Sequence, residues 1–321
     1  MSYNKPPYQI TGEVLALLTK VSEQIGTVNA LHLNRPQTEL RKANRIKTIQ
    51  STLAIEGNTI SEEQITALLN NKRVLAPQKD ILEVQNAIAT YDNLHTFKPF
   101  QLKSLLNAHK TLMNGLIKDA GTLRSGNVGI VKGSQITHVA PPGNMVPHLL
   151  KELLEYVKDD GDPILIKTCV FHYEFEFIHP FADGNGRMGR LWQTILLTKT
   201  YPVFEYLPIE SVIKAEQGKY YDALNRSDSQ GQSTPFIIFM LDRISAALNE
   251  LLDKPFSAPD PERRILIFRD IIGKRAFTRK DYLNNFKTLS TATASRDLKV
   301  ATETGIVKKT GDKNSSIYNF N

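Results

Sequence analysis

The sequence contains a single cysteine, Cys169, among its 321 residues, so no disulfide can form within the chain. Cys169 is followed by Val170 and Phe171, which is typical of a buried small hydrophobic residue without a chemical role. No apolar run approaches the roughly 18 residues that a transmembrane helix needs. The first residues, MSYNKPPYQITGE, also lack the apolar segment of a signal peptide. We therefore expect a cytoplasmic protein that makes no membrane contact.

Two common signatures of nucleotide and metal sites are missing as well. The chain has no GxxxxGK[ST] phosphate-binding loop and no HExxH zinc-binding pattern. It also has no repeat of fixed period and no low-complexity tract. With 41% hydrophobic residues, the chain can bury a sizeable core, and its length predicts two or three domains.

The net charge of +7 is concentrated at the carboxyl end of the chain. Residues 262–321 contain 13 Lys and Arg against 6 Asp and Glu, whereas the remainder contains 27 of each sign. The segment that precedes them, DKPFSAPDPE, includes three prolines, which cannot continue a helix. We therefore predict a linker over residues 251–261 and a small basic domain over 262–321.

The basic domain is similar to a winged helix. Its segments TRKDYLNNF and ATASRDLKVATETG resemble two helices joined by the turn TLST, and IVKKTGDKNSSIYNF resembles the wing. The basic excess permits DNA contact through phosphates, with Arg296 in the recognition helix. A protein-interaction or dimerisation module is the alternative, and the sequence leaves both open.

Most of the remaining sequence has apolar residues at intervals of three and four, so we predict a mainly α fold. One such helix covers Leu40 to Ile55, and Gly57 with Asn58 supplies its stop. The next helix is expected to start at Ser61, where SEEQ has the form of a capping box.

Two segments do not fit this simple pattern. The sequence NVGIVKGSQITHVAPP places the turn Lys132-Gly133-Ser134 between two β-prone runs and predicts a hairpin near residues 128–140. The segment FHYEFEF, residues 171–177, alternates as a strand does, yet its apolar residues also fit a buried helix face. Periodicity alone leaves both interpretations open.

The most informative stretch is IHPFADGNGRMGR, residues 178–190. An apolar stripe from Leu191 to Leu196 follows it, so the loop is expected to run into the first turn of a helix. Helix N-termini bind anions, because their first N–H groups lack internal partners and the macrodipole is positive there. Gly184 and Gly186 leave room for a close approach and, like Asn185, tolerate left-handed backbone. This combination predicts an anion nest.

Charged residues around the nest predict a nucleotide site. Arg187 and Arg190 are three apart and share a helix face, so both can reach one polyphosphate. Asp183 would repel that phosphate unless a cation lay between them, which predicts Mg²⁺. His179, with an ordinary pKa of about 6.5, is suited to take a proton from an attacking hydroxyl. Each of these residues by itself has a common structural explanation, such as a turn or a surface contact. Their combination in one short segment is much rarer.

HPFADGNGR followed by MGR resembles the complete signature of the Fic family, with no departure from the long motif. Members transfer a nucleoside monophosphate, usually AMP from ATP, to a protein hydroxyl. The predicted hairpin resembles the family's flap, which clamps the protein substrate, and YLPIESVIKAEQGKYYDALNRS resembles the helices after the motif. The resemblance covers almost the whole chain. It implies an N-terminal helical region over 1–100 and a catalytic core over 101–250 in which FHYEFEF is helical.

The resemblance also implies a role for each motif residue. His179 is the general base for the target hydroxyl, and Asp183 holds Mg²⁺ on the α- and β-phosphates of ATP. Arg187 binds the β-phosphate region and Arg190 the γ-phosphate. Backbone and side-chain donors to the phosphates come from three further residues: Gly184, Asn185 and Gly186. Phe181 is expected to anchor the loop in the core.

Glu56 lies in the segment TLAIEGN at a helix C-terminus, where the macrodipole disfavours negative charge. A solvated helix-end glutamate is the ordinary explanation. TLAIEG also resembles the family's inhibitory motif, which implies that Glu56 pairs with Arg190 and makes the enzyme autoinhibited. Tyr221, or Tyr220 beside it, is a candidate wall of the adenine pocket, although two tyrosines at this spacing are often core residues.

The expected function is therefore Mg²⁺-dependent transfer of AMP from ATP to a hydroxyl of a protein substrate, with release of pyrophosphate. The alternative is a nucleotide-sensing transcription regulator that binds ATP without transferring it. His179 favours transfer, because binding alone needs no base at that position. A homo-oligomer is compatible with the sequence, which does not identify the target protein.

Overall fold

A computed structural model describes residues 4–30, 38–132, 135–253, 261–273, 275–286, 289–312 and 316–321. These residues are mainly α-helical, as predicted. The chain forms two compact units, Met1–Asp253 and Lys254–Asn321. None of the helices within the described ranges is both long enough and apolar enough to cross a membrane.

The first unit contains helices and one hairpin. The helices are α1 Gly12–Ala30, α2 Thr38–Ile55, α3 Glu62–Leu69, α4 Gln78–Asp92, α5 Leu102–Leu112, α6 Val146–Asp159, α7 Ile164–Ile178, α8 Asn185–Thr200, α9 Ile209–Ala215, α10 Gln217–Gln230 and α11 Thr234–Leu252. Helix α1 packs on α11, and α7 packs on α8. One hydrophobic core extends from Val14 to Leu251, so the helices before residue 100 and those after it share it.

The end of α2 follows from its local sequence. Gly57 adopts a left-handed backbone with φ of 90°, which stops the helix directly after Ile55 and Glu56. The predicted capping box is confirmed, because Ser61 Oγ accepts from Gln64 N at 3.3 Å and Gln64 Oε1 accepts from Ser61 N at 3.0 Å.

The ambiguous segment FHYEFEF is helical and lies in α7, as the resemblance implied. Helix α7 is buried on nearly all sides, including Val170, Phe171 and Phe175. A helix that is surrounded by protein needs no polar face, so its apolar residues show little helical periodicity. This burial explains why the pattern resembled a strand.

The hairpin consists of β1 Gly129–Lys132 and β2 Gln135–Val139, which pair antiparallel. Gly129 pairs with Val139, and Lys132 pairs with Gln135. The prediction of a hairpin near residues 128–140 is confirmed in these strands. Gly133 and Ser134 of its turn lie outside the described residues.

The second unit contains α12 Pro261–Ile272, α13 Arg279–Asn285, α14 Thr291–Glu303, β3 Val307–Thr310 and β4 Ile317–Phe320. The strands pair antiparallel, and Phe277 forms an isolated bridge with Tyr318. Its own core includes Ile265, Phe268 and Leu298. Helices α13 and α14 coincide with the two helices predicted from TRKDYLNNF and ATASRDLKVATETG, and strands β3 and β4 lie in IVKKTGDKNSSIYNF, of which residues 313–315 lie outside the described part of the chain.

The predicted linker has different limits in the structure. Helix α11 continues to Leu252, and Pro261 is the first residue of α12 rather than the last residue of the linker. Proline is favoured at the first helical position, because its missing N–H has no helical partner there and its φ is already suitable. Residues 254–260 lie outside the described part of the chain.

Candidate active site

The motif loop joins the two most buried helices of the first unit. Helix α7 ends at Ile178, and His179 caps it with a left-handed backbone, φ 50° and ψ 61°. Gly184 precedes α8 with φ of 83°, a conformation that favours glycine. The first hydrogen bond of α8 runs from Met188 N to Gly184 O, so the N–H groups of residues 185–187 precede the helical ladder. The predicted loop and helix N-terminus are confirmed.

A cavity of about 290 Å³ lies at this N-terminus. Its walls come from the end of α2, the end of α7, the motif loop, the start of α8 and helix α10. The lining residues are Glu56, Tyr173, Glu176, Phe177, His179, Ala182, Asp183, Gly184, Asn185, Gly186, Arg190, Tyr220, Tyr221, Leu224, Asn225 and Asp228. The structure therefore brings most of the predicted site residues to one cavity.

His179 is oriented by its own helix. Its Nδ1 lies 3.3 Å from the carbonyl oxygen of Glu176, which can only accept a hydrogen bond. Nδ1 therefore carries the proton in the neutral imidazole, and Nε2 is the basic nitrogen. A histidine in this tautomer, at the cavity wall, can accept a proton through Nε2.

The glycines Gly184 and Gly186 of the motif lie close to neighbouring side chains. A Cβ on Gly186 would lie 2.7 Å from Glu56 Oε1, and one on Gly184 would lie 2.7 Å from Met113 Sδ. Gly186 is helical, so its role is the absence of a side chain rather than left-handed backbone. Asn185 is buried, and its side chain exchanges two hydrogen bonds of 2.9 Å with the backbone of Phe181. The Asn185 side chain thus holds the loop closed.

Phe181 is fully buried, in agreement with its predicted role as an anchor, and its ring stacks on His109 at 3.6 Å. His109 was not identified from the sequence. Its Nδ1 accepts from Gly121 N at 2.8 Å, so its Nε2 carries the proton that binds Asp183 O at 3.0 Å. Burial lowers the pKa of His109, which keeps the ring neutral in this arrangement. His109 thus contacts the loop on both sides of Ala182, through the Phe181 ring and the Asp183 carbonyl.

Arg190 is held by three hydrogen bonds to two residues. It donates to Thr52 Oγ1 at 3.0 Å, to Thr52 O at 3.1 Å and to Glu56 Oε1 at 2.6 Å. Its side chain is 1% exposed, whereas that of Glu56 is 30% exposed. Burial opposes the charge on Arg190, but the surrounding side chains, Glu56 foremost with Tyr220 and Glu176, together outweigh it and raise the pKa of Arg190. The contact predicted between Glu56 and Arg190 is therefore present.

Arg187 has a different position from Arg190. Its guanidinium pairs with Glu83 at 3.3 Å and with Asp183 at 3.0 Å, and its side chain is 5% exposed. Arg187 does not line the cavity, although it contacts Asp183, which does. Glu83, on α4, was not identified from the sequence, because its proximity to Arg187 depends on the packing of helices distant in sequence.

Tyr221 and Tyr220 both line the cavity but differ in their surroundings. Tyr221 is half-buried, and Gln217 Nε2 lies 3.5 Å from its hydroxyl. Tyr220 is fully buried, with its hydroxyl 3.1 Å from His172 Nε2 and 3.4 Å from Glu176 Oε1. Burial lowers the pKa of His172 to about 3, so this ring is neutral. Tyr220 is a core residue at the base of the cavity, and Tyr221 is the more accessible wall.

The Asp183 carboxylate pairs with Arg187 and is accessible from the cavity. Its side chain is 52% exposed at the cavity. The described ranges contain no group of three or more His, Cys, Asp or Glu residues placed to hold a metal. Mg²⁺ in nucleotide sites commonly uses one or two carboxylates, with phosphate oxygens and water as the other ligands. The donor set at Asp183 fits an ion that binds together with phosphates.

Comparison with known proteins is consistent with this geometry. Residues 99–197 match the Fic/DOC family. A crystal structure of a Fic family protein from Desulfovibrio desulfuricans G20 is 39% identical, with a TM-score of 0.76, and the match covers 99% of this chain and 98% of that one. The structure of Fic-1 from Caenorhabditis elegans is 21% identical over 74% of this chain and 72% of its own, with a TM-score of 0.61, and supports the fold alone.

Curated relatives carry the name of an enzyme. Protein adenylyltransferase fic-1 of Caenorhabditis elegans is 27% identical over 219 residues, which are 64% of this chain and 40% of the relative. Protein adenylyltransferase Fic of Culex quinquefasciatus is 29% identical over 240 residues, which are 70% of this chain and 45% of the relative. The chain thus spans less than half the length of these relatives.

Proposed function

Since the chain belongs to the Fic family, we propose that it transfers AMP from ATP to a hydroxyl side chain of a protein and releases pyrophosphate. The observation that carries this proposal is the meeting of His179, the start of α8 and Arg190 in one cavity. The names of the curated relatives, protein adenylyltransferases, support the same activity.

The two ends of the motif loop have different roles in the proposed reaction: His179 at the first end acts on the target hydroxyl, and the start of α8 at the second end binds the phosphates. His179 Nε2 takes the proton of the target hydroxyl, whose oxygen attacks the α-phosphorus of ATP while the bond to the β-phosphate oxygen breaks. Free N–H groups at the start of α8 face the phosphates and stabilise their charge. Transfer uses both ends, whereas a nucleotide sensor that only binds ATP has no use for His179.

Mg²⁺ is part of the proposal through Asp183. When bound, the ion neutralises phosphate charge and makes the α-phosphorus easier to attack. Asp183 holds the ion by its exposed carboxylate, and Arg187 restrains that carboxylate from the buried side. Arg187 is assigned to the β-phosphate region and Arg190 to the γ-phosphate; Arg190 lines the cavity, whereas Arg187 is connected to it through the ion pair with Asp183.

Glu56 supplies autoinhibition in this proposal. Its carboxylate occupies the guanidinium of Arg190, which would otherwise bind the γ-phosphate. ATP then lies with its α-phosphorus misaligned for attack. The end of α2 is fixed in this place, because Gln217 Nε2 on α10 donates to Ile55 O at 3.0 Å.

Two further surfaces are assigned to the substrates. Tyr221 forms part of the wall that contacts adenine, since it lines the cavity and is only half-buried. The hairpin of β1 and β2 clamps the protein substrate near residues 128–140, where a β-strand edge can pair with an extended peptide.

The second unit, which carries the basic excess, is proposed to contact DNA as a winged helix.

Labelled ATP tests the proposed reaction. The protein is incubated with Mg²⁺ and ATP labelled at the α- or at the γ-phosphate, and protein-bound label and intact mass are measured. Transfer of AMP attaches the α-label and no γ-label, and it requires His179. Attachment of the γ-label would indicate phosphate transfer instead, and binding of ATP without any adduct would support a sensor.

A further inference from the structure

Arg124 lies just before the hairpin and makes an unusual set of contacts. Its guanidinium donates to four backbone carbonyl oxygens: His179 at 2.6 Å, Gly126 at 2.6 Å, Pro141 at 2.7 Å and Ile178 at 2.9 Å. The backbone N–H of Arg124 also donates to Pro180 O at 2.9 Å. One residue thus connects the end of α7 to both ends of the hairpin segment.

The charge of Arg124 is not balanced by an acidic side chain. Over the ranges that the structure describes, no carboxylate forms an ion pair with it, and the residue is 7% exposed. Burial lowers the pKa of Arg124. Buried arginines are usually paired with a carboxylate. Four carbonyl partners indicate that the planar set of N–H donors is used to fix backbone positions.

The first backbone position is that of His179. A left-handed φ of 50° is uncommon for a residue other than glycine and must be held by its surroundings. The guanidinium of Arg124 donates to the carbonyl oxygen of His179 and to that of the preceding residue, Ile178. Arg124 therefore restrains the backbone from which the imidazole projects into the cavity.

The second backbone position is the base of the hairpin. Gly126 and Pro141 lie before β1 and after β2, and Nη1 and Nη2 of Arg124 reach their carbonyls. The two segments pass so close together that a Cβ on Gly143 would lie 2.1 Å from Ser125 O. The base of the hairpin and His179 are thus held by the same side chain.

We propose that Arg124 is a positioning residue that sets the placement of the His179 base relative to the hairpin. It acts through main-chain carbonyls and does not touch the nucleotide, since it does not line the cavity. This inference rests on the proposed AMP transfer, in which the base and the hairpin must meet the same target hydroxyl. Loss of Arg124 should therefore impair transfer while leaving ATP binding intact.

Two variants of Arg124 separate this role from a general structural one. Arg124→Gln removes the charge and most donors, whereas Arg124→Lys keeps the charge on a single nitrogen that cannot reach four carbonyls. The matched control is Arg45→Gln, because Arg45 lies in the same unit and pairs with Asp92 and Ile88 O, away from the motif loop. All three are made in the full chain, in the wild type and in a Glu56→Gly background.

Three measurements are compared: turnover of AMP transfer to the protein itself, the dissociation constant of ATP, and backbone hydrogen exchange. For both Arg124 variants we expect turnover to fall by about 100-fold, since misplacement of about 1 Å can have this effect, with ATP affinity unchanged within about 2-fold. Exchange should increase together in residues 178–183 and in the hairpin segment 126–141. Arg45→Gln should change none of the three.

Unchanged turnover in both Arg124 variants, or equal losses of turnover and ATP affinity, would overturn the assignment. Full transfer by Arg124→Lys would show that charge alone suffices and would also overturn it. If the Glu56→Gly protein itself transfers no AMP, the proposed function fails. Hydrogen exchange still decides the positioning claim in that case, because an increase in only one segment, or in neither, excludes a shared restraint.

Discussion

The Glu56 carboxylate lies 2.6 Å from Arg190 Nη2, and the two residues are separated by 134 positions in the chain. Arg190 is almost fully enclosed, with Thr52 bound to its other side. A charge-assisted hydrogen bond of this kind contributes about 2 kcal/mol. In the proposed function the same guanidinium binds the γ-phosphate, so the Glu56 carboxylate would compete with the nucleotide for it.

Removal of this competition should activate the protein. We expect Glu56→Gly to raise the rate of AMP transfer, including self-modification, by on the order of 100-fold, because a realigned α-phosphorus can be attacked in line. Glu56→Gln, which keeps the shape but loses the charge, should give a smaller increase. The rates are measured with α-labelled ATP.

Arg190→Ala added to Glu56→Gly should cancel the increase, because the gain depends on the freed guanidinium. A Glu56→Gly protein that is folded but no faster than wild type would refute the inhibitory role and leave Glu56 as a helix-end residue.

His179→Ala should abolish AMP transfer and leave ATP affinity nearly unchanged, because the imidazole meets the target hydroxyl rather than the phosphates. Both quantities are measured in the Glu56→Gly background, by adduct mass and by calorimetry. His148→Ala is the control, since His148 is exposed on α6 and lies outside the cavity. Loss of binding together with activity would place His179 in the nucleotide site instead.

Asp183→Ala should remove the dependence of nucleotide affinity on Mg²⁺. ATP binding is titrated with Mg²⁺ and with EDTA, and the wild type is expected to bind more tightly with the ion. Asp159→Ala is a matched control, because the Asp159 side chain is 52% exposed, as is that of Asp183. A variant at Asp183 that keeps the full Mg²⁺ response would contradict the assignment.

The stability of the protein should fall as pH rises from about 4.5 to 7 through the contribution of Glu210. This carboxyl is fully buried beside Tyr91, and burial raises its pKa from 4.5 to about 7. The folded state then binds a proton that the unfolded state has released, so stability is fully present below pH 4.5 and is lost as pH rises through about 7. The effect is on the order of 3 kcal/mol.

Glu210→Gln should flatten this dependence, which is measured as the difference in urea unfolding free energy between pH 5 and pH 8. His172, whose pKa is lowered to about 3, acts in the opposite direction, but it is present in both proteins and cancels from the difference. Glu250→Gln, at an exposed carboxyl, is the control. Equal pH slopes in wild type and Glu210→Gln would show that the pKa of Glu210 is not raised in the folded protein.

The second unit should bind duplex DNA with an affinity that falls steeply as salt rises. Arg296 is exposed on α14, and Arg296→Ala should reduce the slope of log affinity against log salt by about 1 if it contacts a phosphate. Lys20→Ala, in the first unit, should not change it. The absence of any binding at low salt would favour a protein-interaction module.

Deletion of residues 254–321 should not abolish AMP transfer, because every residue assigned to the site lies in the compact unit Met1–Asp253. The truncated protein is compared with the full chain by α-label incorporation. Complete loss of activity in a truncated protein that remains folded would show that the second unit contributes to catalysis.

The sequence by itself determined the features that depend on neighbouring residues. The stop of α2 at Gly57, the capping box at Ser61 and the loop that enters α8 follow from short patterns with direct conformational causes. The motif from His179 to Arg190 likewise predicted that its histidine, aspartate and glycines lie around one loop at a helix N-terminus, because these residues lie within twelve positions. Charge counting separated a basic C-terminal region in the same way.

Only the tertiary structure decided how those residues are held. Helix α7 could not be distinguished from a strand by periodicity, because protein surrounds it and removes the amphipathic signal. The contacts of Arg187 with Glu83, of His109 with Asp183 and of Arg124 with His179 join residues 55 to 104 positions apart. No local pattern encodes such contacts, since only the packing of segments distant in the sequence brings these side chains together.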